Sequence, residues 1–333
     1  MSWQRGLVGL CWTWMACTPS PSTTTVSGVS SPADAAVPLD ASVVDAATTS
    51  DAAVPADASV TPDAAGRDAG MPVDAAMPAD AAGMDAARAD AAAADGGAPT
   101  PWHPAPRTRW QWQLTGTIDT SVDVEMYDVD LFETPDPVLQ TLHGQGRIII
   151  CYFSTQYEDW RPDIAALPAN VLGNALDGWP GERWVDIRST AVRTWINARL
   201  DLAVTRGCDG VEPDNVDGYA NSNGLGLTAN DQLDFNRFLA QQAHARGLSV
   251  GLKNDLDQVT ALVDAFDWAL NEQCFQYNEC DLLTPFITAG KAVFQVEYGD
   301  AATATAVCSQ ATTLGFSTLI KNMDLDAWRL ECP

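Results

Sequence analysis

The stretch Cys208-Asp-Gly-Val-Glu-Pro-Asp-Asn-Val-Asp-Gly-Tyr219 contains a short apolar segment that ends in several acidic and amide side chains. We interpret Asp209–Asp214 as a strand, because a helical stretch with the basic, glycine-stopped ending Arg206-Gly207 comes directly before it. A strand that follows a helix and carries polar side chains at its end is the repeating unit of parallel β/α folds. The stretch therefore predicts one β/α unit, with a candidate site at the carboxyl end of its strand.

The same pattern recurs on both sides of this unit after Pro106. We predict strands at about Arg109–Thr115, Val124–Asp130, Gly146–Ser154, Asp209–Asp214, Leu248–Asn254, Asp267–Gln273, Ala292–Tyr298 and Ser317–Asn322. We predict helices over Ala191–Arg206, Ala229–Arg246 and Gln258–Ala265.

Eight such strands predict an α/β fold, an eight-stranded parallel (β/α)8 TIM barrel formed by residues 101–333. The length agrees with the ~250 residues that are typical of this barrel. The alternative is an open doubly wound sheet. It lacks support, because no Gly-x-Gly-x-x-Gly follows the first predicted strand to anchor a dinucleotide.

The N-terminal region predicts export. Residues 1–16 have one positive charge, Arg5, and then an apolar run that is too short to span a bilayer, as in a signal peptide. The pair Ala16-Cys17 resembles the acylation site of bacterial lipoproteins. We therefore expect an exported protein, either an outer-membrane or cell-surface lipoprotein attached through Cys17, or a secreted one.

Residues 17–100 are predicted to be a disordered linker ahead of the barrel. From Ser31 to Asp95 an Asp recurs every five or six residues, usually as Asp-Ala-Ala, and prolines interrupt any helix that the alanines would favour. Almost no large apolar side chain is available to bury, so the ordering entropy cannot be offset.

We expect residues 1–100 to be dispensable for folding and activity, because they cannot contribute to a core. A chain that starts at Trp102 should be soluble, with the turnover of the full chain in a side-by-side assay. Insolubility or loss of turnover would contradict this boundary.

The composition is strongly acidic, with 44 Asp and Glu against 18 Lys and Arg and a formal net charge of −26. Because nucleic-acid affinity depends on basic side chains, nucleic acid is excluded as a partner. The negative field favours a cationic ligand. We expect a monomer without a cofactor.

Export makes the cysteines disulfide candidates rather than metal ligands, since no Cys-x-x-Cys or neighbouring His supports a metal site. The spacing of Cys274 and Cys280 suits a bridge across one loop, and Cys308 with Cys332 can secure the C-terminus. Cys151 lies inside an apolar run, and we expect it to be a buried free thiol.

Polar side chains gather where the predicted strands end, which is where barrel enzymes place their sites. The candidate site residues are Tyr127, Asp128, Asp130, Tyr152, Ser154, Glu212, Asp214, Asn215, Asp217, Lys253, Asn254, Asp255, Asn271, Glu272, Gln273, Glu297, Tyr298, Lys321 and Asn322.

These residue types favour carboxylate chemistry. The sequence has three His residues. His103 lies in an entry loop, His143 lies before a strand and His244 lies inside a predicted helix, so none is placed for Ser-His or metal catalysis. A pair of carboxyl groups, one ionised and one protonated, is the apparatus that cleaves glycosidic bonds. Aromatic faces for stacking on sugars are offered by Tyr127, Tyr152, Trp179 and Tyr298.

Several motifs together resemble glycoside hydrolase family 114, from about Trp110 to the C-terminus. They are Ile150-Cys-Tyr-Phe-Ser154, Cys208-Asp-Gly-Val-Glu-Pro-Asp-Asn-Val-Asp-Gly-Tyr219, Gly251-Leu-Lys-Asn-Asp255, Asn271-Glu-Gln-Cys-Phe-Gln-Tyr-Asn-Glu-Cys280 and Val293-Phe-Gln-Val-Glu-Tyr298. The resemblance implies an endo-α-1,4-polygalactosaminidase on a β/α barrel that acts with retention. Its implied substrate is a cationic, partly deacetylated galactosamine polymer.

The resemblance also implies that Asp214 and Glu272 are the catalytic pair. We assign Asp214 as the nucleophile, because Asn215 and Lys253 can keep it ionised, and Glu272 as the acid/base. The exchanged roles stay open at this point. The other candidates for substrate contact are Tyr127, Asp128, Asp130, Tyr152, Glu212, Asn215, Asp217, Lys253, Asn254, Glu297 and Tyr298.

Strand alternation gives an independent expectation for Glu212. If Asp214 faces the barrel mouth, Glu212 lies one layer deeper on the same side and needs a counter-charge, for which Lys253 is the candidate. Asp209, at the start of the strand, is expected to be structural. Two further function classes stay open, which are a carbohydrate-binding or adhesion module and a hydrolase of another amino-sugar glycan.

Overall fold

The structure is a computed structural model that describes residues 100–333. The predicted signal peptide, the candidate acylation site Cys17 and the predicted linker lie outside the described residues, except for Thr100. Within the described part, no helix has both the length and the apolar character needed to cross a bilayer.

Residues 100–333 form twelve strands and seven α-helices. The strands are β1 Trp110–Gln113, β2 Met126–Asp130, β3 Ile148–Ser154, β4 Tyr157–Glu158, β5 Leu172–Ala175, β6 Glu182–Val185, β7 Gly210–Asp214, β8 Ser249–Lys253, β9 Trp268–Glu272, β10 Val293–Tyr298, β11 Ser317–Lys321 and β12 Leu330–Glu331. The helices are α1 Asp136–Gly144, α2 Thr190–Thr205, α3 Ala229–His244, α4 Val259–Leu262, α5 Cys274–Tyr277, α6 Thr284–Thr288 and α7 Ala301–Leu314.

The main sheet has the order β1-β2-β3-β7-β8-β9-β10-β11-β12 and curls into a (β/α)8 barrel. Its first eight strands pair in parallel, and β12 is added antiparallel to β11. These eight are the strands predicted from the sequence, so the predicted fold class is confirmed. The third predicted helix, Gln258–Ala265, is shorter in the structure, where α4 follows a single 3₁₀ turn.

Alternation along the strands separates two apolar layers. One set of side chains faces the helices, while Trp110, Trp112, Trp268 and Phe294 belong to the cluster that fills the barrel. Gly251 makes room for this filling, because a Cβ there would lie 2.1 Å from the Trp268 ring. Large aromatic rings therefore close the barrel from below and leave its carboxyl end for polar side chains.

A small antiparallel sheet in the order β4-β6-β5 is inserted between β3 and α2. We call residues 157–185 the arm sheet. Its strands are only two to four residues long, so the sequence carries no alternation that would predict them. The arm sheet follows the carboxyl end of β3 directly in the chain. It therefore lies at the end of the barrel where the strands terminate, which we call the barrel mouth.

Three disulfides are present among the described residues. The predicted bridges Cys274–Cys280 and Cys308–Cys332 are both formed. The expectation of a free thiol at Cys151 is wrong, because Cys151 is bonded to Cys208 across 57 residues of sequence. Both cysteines lie in the apolar layer outside the barrel, on neighbouring strands or their entry, with Cα atoms 6.0 Å apart.

Candidate active site

The carboxyl ends of the barrel strands bring a charged cluster together around one lysine. Lys253 ends β8, and its side chain is 2% exposed. Its Nζ lies 2.7 Å from Glu212 Oε1 and 3.3 Å from both Asp214 Oδ1 and Glu272 Oε2. The predicted contact between Lys253 and Glu212 is therefore present, and the same ammonium joins the two carboxylates that we proposed as the catalytic pair.

The charge of Lys253 is maintained by this surrounding. Burial alone would lower the pKa of Lys253, but the charges of Asp214, Glu212 and Glu272 more than offset that effect and raise the pKa well above its usual value. The Trp112 ring, with its centroid 4.7 Å from Nζ, adds a cation–π contact. Lys253 is thus a fixed positive charge beneath both carboxylates.

Asp214 ends β7 and is held by fixed donors. Its Oδ1 accepts a hydrogen bond of 2.8 Å from the backbone N–H of Asn215, and its Oδ2 accepts one of 3.0 Å from the Tyr152 hydroxyl. The side-chain amide of Asn215 donates to Ser154 Oγ at 3.1 Å. This contact anchors the left-handed turn at Asn215. The Asp214 side chain remains 20% exposed and is open to the barrel mouth.

Glu272 ends β9, and its donors are side chains. The Tyr298 hydroxyl donates to Oε1, and the Asn254 amide donates to Oε2 at 3.4 Å. The Asn254 Oδ1 in turn accepts from the Glu272 backbone N–H at 3.0 Å, so Asn254 holds the end of this strand. The Glu272 side chain is 24% exposed, at the same mouth as Asp214.

A pair of carboxyl groups lies one layer deeper in the barrel. Glu212 is fully buried and accepts a hydrogen bond of 3.2 Å from Trp112 Nε1. Burial raises the pKa of Glu212 to about 7, although Lys253 opposes this change. Burial and the charge of Glu212 raise the pKa of the neighbouring Asp128 well above its usual value.

Asp128 is therefore the protonated partner of this pair. It is fully buried, and among the described residues no amide, hydroxyl or cation donates to either of its oxygens. A neutral Asp128 carboxyl can donate its proton to Glu212. The arrangement holds Glu212 in place as the acceptor for Lys253.

We expect Asp128→Asn to make stability less sensitive to pH. Because the pKa of Asp128 is raised by folding, the unfolded chain loses this proton at about pH 3.9 while the folded protein retains it, so stability falls as the pH rises above that value. Asn is neutral at every pH and can still donate to Glu212. The melting temperature of Asp128→Asn should fall less between pH 5 and pH 8 than that of the wild type.

The matched control is Asp281→Asn, which removes an exposed carboxyl outside the cluster. Its melting temperature should follow the wild-type dependence on pH. An Asp128→Asn curve as steep as the wild type would show that Asp128 is ionised in the folded protein.

Three of the residues predicted to contact substrate are not brought into the cluster. Tyr127 is buried in the layer outside the barrel, and its hydroxyl donates to the backbone of Asp119 and Val122. Asp130 forms a bidentate pair with Arg161, at 2.7 and 3.1 Å. Glu297 accepts from the Phe275 backbone N–H at 2.9 Å and supports the loop of the Cys274–Cys280 disulfide.

Asp217 lies beside the cluster, on the loop after β7. Burial raises the pKa of Asp217 to about 6, and the charge of Asp214 adds to this effect. Asp209 behaves as the predicted structural residue, since its carboxylate accepts from the Ile149 backbone N–H at 2.8 Å. The predicted stacking residue Trp179 is 59% exposed on the arm sheet.

Two contributions to the cluster were missed from the sequence. Trp112, on β1, donates to Glu212 and covers Lys253, and its alternation with Trp110 inside the barrel was the available signal. Glu182, on the arm sheet, lies close enough to Asp214 for the charges to influence each other. Nothing in its sequence surroundings pointed to the site.

Comparisons with known proteins give one family match and similar solved structures. The family model described as glycoside-hydrolase family GH114 matches residues 91–333. The crystal structure of Aspergillus fumigatus Ega3 in complex with galactosamine is 46% identical, with a TM-score of 0.68, and the match covers 71% of this chain and all of that chain.

A second solved structure shows likeness of fold alone. It is the glycoside hydrolase domain of PelA from Pseudomonas aeruginosa, at 12% identity and a TM-score of 0.55 over 68% of this chain and 98% of that chain. The comparison with curated proteins finds no match.

Proposed function

The chain belongs to glycoside hydrolase family GH114, and from this premise we propose that it hydrolyses an α-1,4-linked, partly deacetylated galactosamine polymer from within the chain, with retention of configuration. In this proposal Asp214 is the nucleophile and Glu272 is the acid/base. No cofactor is needed, because two carboxyl groups supply the whole reaction.

The spacing of the two carboxylates is the observation that carries the proposal. Asp214 Oδ1 and Glu272 Oε2 both lie 3.3 Å from the same Lys253 ammonium, so these oxygens are at most twice that distance apart. Carboxyl groups separated by about 5–5.5 Å act in retaining glycosidases, whereas about 6.5–9.5 Å is required to admit the water of an inverting enzyme. The limit set by Lys253 favours the retaining arrangement.

The hydrogen bonds support the division of roles. Asp214 accepts from the Asn215 backbone N–H and from the Tyr152 hydroxyl, so one of its two donors is fixed in direction. The hydroxyl of Tyr298, which faces Glu272, can rotate and accept a hydrogen bond instead. We therefore assign the proton transfer to Glu272 and the attack on the sugar to Asp214.

The reaction then follows from these roles. Asp214 attacks the anomeric carbon while a protonated Glu272 gives its proton to the leaving glycosidic oxygen. Glu272, now ionised, removes a proton from the water that hydrolyses the glycosyl–Asp214 intermediate. Lys253 steadies the carboxylate of whichever residue carries the negative charge at each step.

Charge supports a cationic substrate. Among the described residues, Lys253 is a single cation that pairs with three carboxyl groups, those of Glu212, Asp214 and Glu272. Asp217 adds a fourth carboxyl group beside them. A mouth with more carboxyl groups than cations attracts the ammonium groups of deacetylated galactosamine. The Ega3 crystal structure holds galactosamine, which agrees with this choice.

Export is part of the proposal. Three disulfides among the described residues support an oxidising compartment, where such bonds persist. We propose a monomeric enzyme that is either secreted or attached to the outer membrane or cell surface through acylated Cys17. Mass spectrometry of the mature N-terminus distinguishes an acylated Cys17 from an unmodified one.

Incubation of the purified protein with partly deacetylated α-1,4-galactosaminan tests the substrate. We expect a ladder of oligosaccharides early in the digestion, as an endo-acting enzyme produces. Binding without cleavage would favour a carbohydrate-binding module instead. Cleavage of a different amino-sugar glycan, with galactosaminan left intact, would contradict the proposed substrate.

A further inference from the structure

One face of the arm sheet is turned toward the barrel mouth. Glu158 of β4 and Glu182 of β6 are directly opposed in an antiparallel pair, so their side chains lie on the same face. On that face Glu158 pairs with Arg161, which also binds Asp130 at the end of β2. The face therefore lies over the ends of the barrel strands.

Glu182 points from this face toward the loop that follows β7. Trp184, two residues further along β6, shares its side of the strand and packs against Gly218, where a Cβ would lie 3.0 Å from the Trp184 ring. Gly218 follows directly after Asp217 in that loop. This places Glu182 at the loop that follows β7, near enough to Asp214 for the two charges to interact.

The two opposed glutamates differ in their partners. Glu158 is neutralised by two arginines, Arg161 at 3.0 Å and Arg199 at 3.4 Å. Glu182 is 8% exposed, yet among the described residues no donor makes a hydrogen bond to its side chain and no cation pairs with it. Burial raises the pKa of Glu182 to about 8, and the charges of Glu158 and Asp214 add to this effect.

We propose that Glu182 binds the ammonium group of the galactosamine unit that sits beside Asp214, and so makes the enzyme select a deacetylated sugar at that position. The inference rests on the proposed function of the site. A buried carboxyl group with no cation of its own is stabilised by an ammonium brought by the substrate. An N-acetyl group carries no charge and offers a single N–H. The Glu182 carboxyl therefore stabilises it much less than it stabilises an ammonium group.

Binding measured separately from cleavage tests the proposal. Glu272→Gln serves as the inactive background, with and without Glu182→Gln, and the ligands are a fully deacetylated and a fully N-acetylated α-1,4-galactosamine oligosaccharide. Calorimetry should show that Glu182→Gln weakens binding of the deacetylated oligosaccharide about ten-fold or more. Binding of the acetylated one should change less than two-fold.

The matched control is Glu125→Gln in the same background, since Glu125 is an exposed acid directly before β2, at the opposite end of the barrel. It should leave both affinities unchanged. A melting curve checks that Glu182→Gln folds, and its midpoint should not fall, because a neutral amide replaces an unpaired buried carboxyl.

The proposal is overturned if Glu182→Gln weakens both oligosaccharides equally, changes neither, or if neither binds to the background protein. Cleavage of galactosaminan by the wild type is assayed in parallel. Normal cleavage without the discrimination by Glu182 would refute this inference alone. Discrimination in binding without any cleavage by the wild type would refute the proposed hydrolysis and leave Glu182 as a binding group.

Discussion

Asp214→Asn and Glu272→Gln are each expected to lower turnover of the galactosamine polymer at least about a thousand-fold, which corresponds to about 4 kcal/mol of transition-state stabilisation. The reason is that each substitution removes a carboxyl group that makes or breaks a bond, while the neutral amide retains its size. Initial rates of reducing-end formation give the turnover. Thermal melts and polymer binding should be nearly unchanged.

The same assays on Glu125→Gln and Asp281→Asn, exposed acids outside the cluster, control for the loss of one negative charge. Both should keep the wild-type turnover. If Asp214→Asn or Glu272→Gln kept more than about a tenth of wild-type turnover, a loss of under about 1.4 kcal/mol, that residue would be a binding group rather than a catalytic one.

Lys253→Met should reduce both stability and turnover. It leaves Glu212 buried without its counter-charge and removes the ammonium that lies between Asp214 and Glu272. Removing one partner of a buried ion pair costs about 3–5 kcal/mol of unfolding free energy. Urea denaturation at neutral pH measures the loss of unfolding free energy. Turnover per folded molecule then measures the loss of activity that is separate from unfolding.

A double-mutant cycle with Glu212→Gln separates the buried pair from the rest of the cluster. Glu212→Gln in the Lys253→Met background should restore part of the lost stability, because no unpaired carboxylate then remains at that depth. Turnover should stay low, since Lys253 is still missing beside Asp214 and Glu272. Purely additive effects on stability would contradict the coupling of Lys253 and Glu212.

The barrel could be predicted because each strand is a short apolar run with polar residues at its end and a helix or loop behind it. The placement of Lys253 beneath Glu212 followed from the two-residue period of a strand. The same two-residue period, applied to β2, places Met126 and Asp128 on the face inside the barrel and Tyr127 on the face outside it. Tyr127 lies near a strand end, but its side chain belongs to the face that packs outside the barrel.

Other features depend on contacts that leave no local signal. The Cys151–Cys208 bridge joins residues 57 positions apart, so its pairing is set by which strands become neighbours. Glu297 faces outward at a strand end, where the fold of the next loop gives it the Phe275 N–H. Glu182 belongs to a strand too short for periodicity, and its position at the barrel mouth depends on tertiary contacts, among them the packing of Trp184 on Gly218.

The anomeric form of the first product tests the central claim most directly, because it reports whether a carboxylate or a water attacks the sugar. Proton NMR can follow the reducing ends that the full chain releases from partly deacetylated α-1,4-galactosaminan, before mutarotation mixes the two forms. Attack by Asp214 followed by water predicts that the α-anomer appears first. Initial release of the β-anomer would contradict the assignment of Asp214 as nucleophile and of the pair as a retaining one.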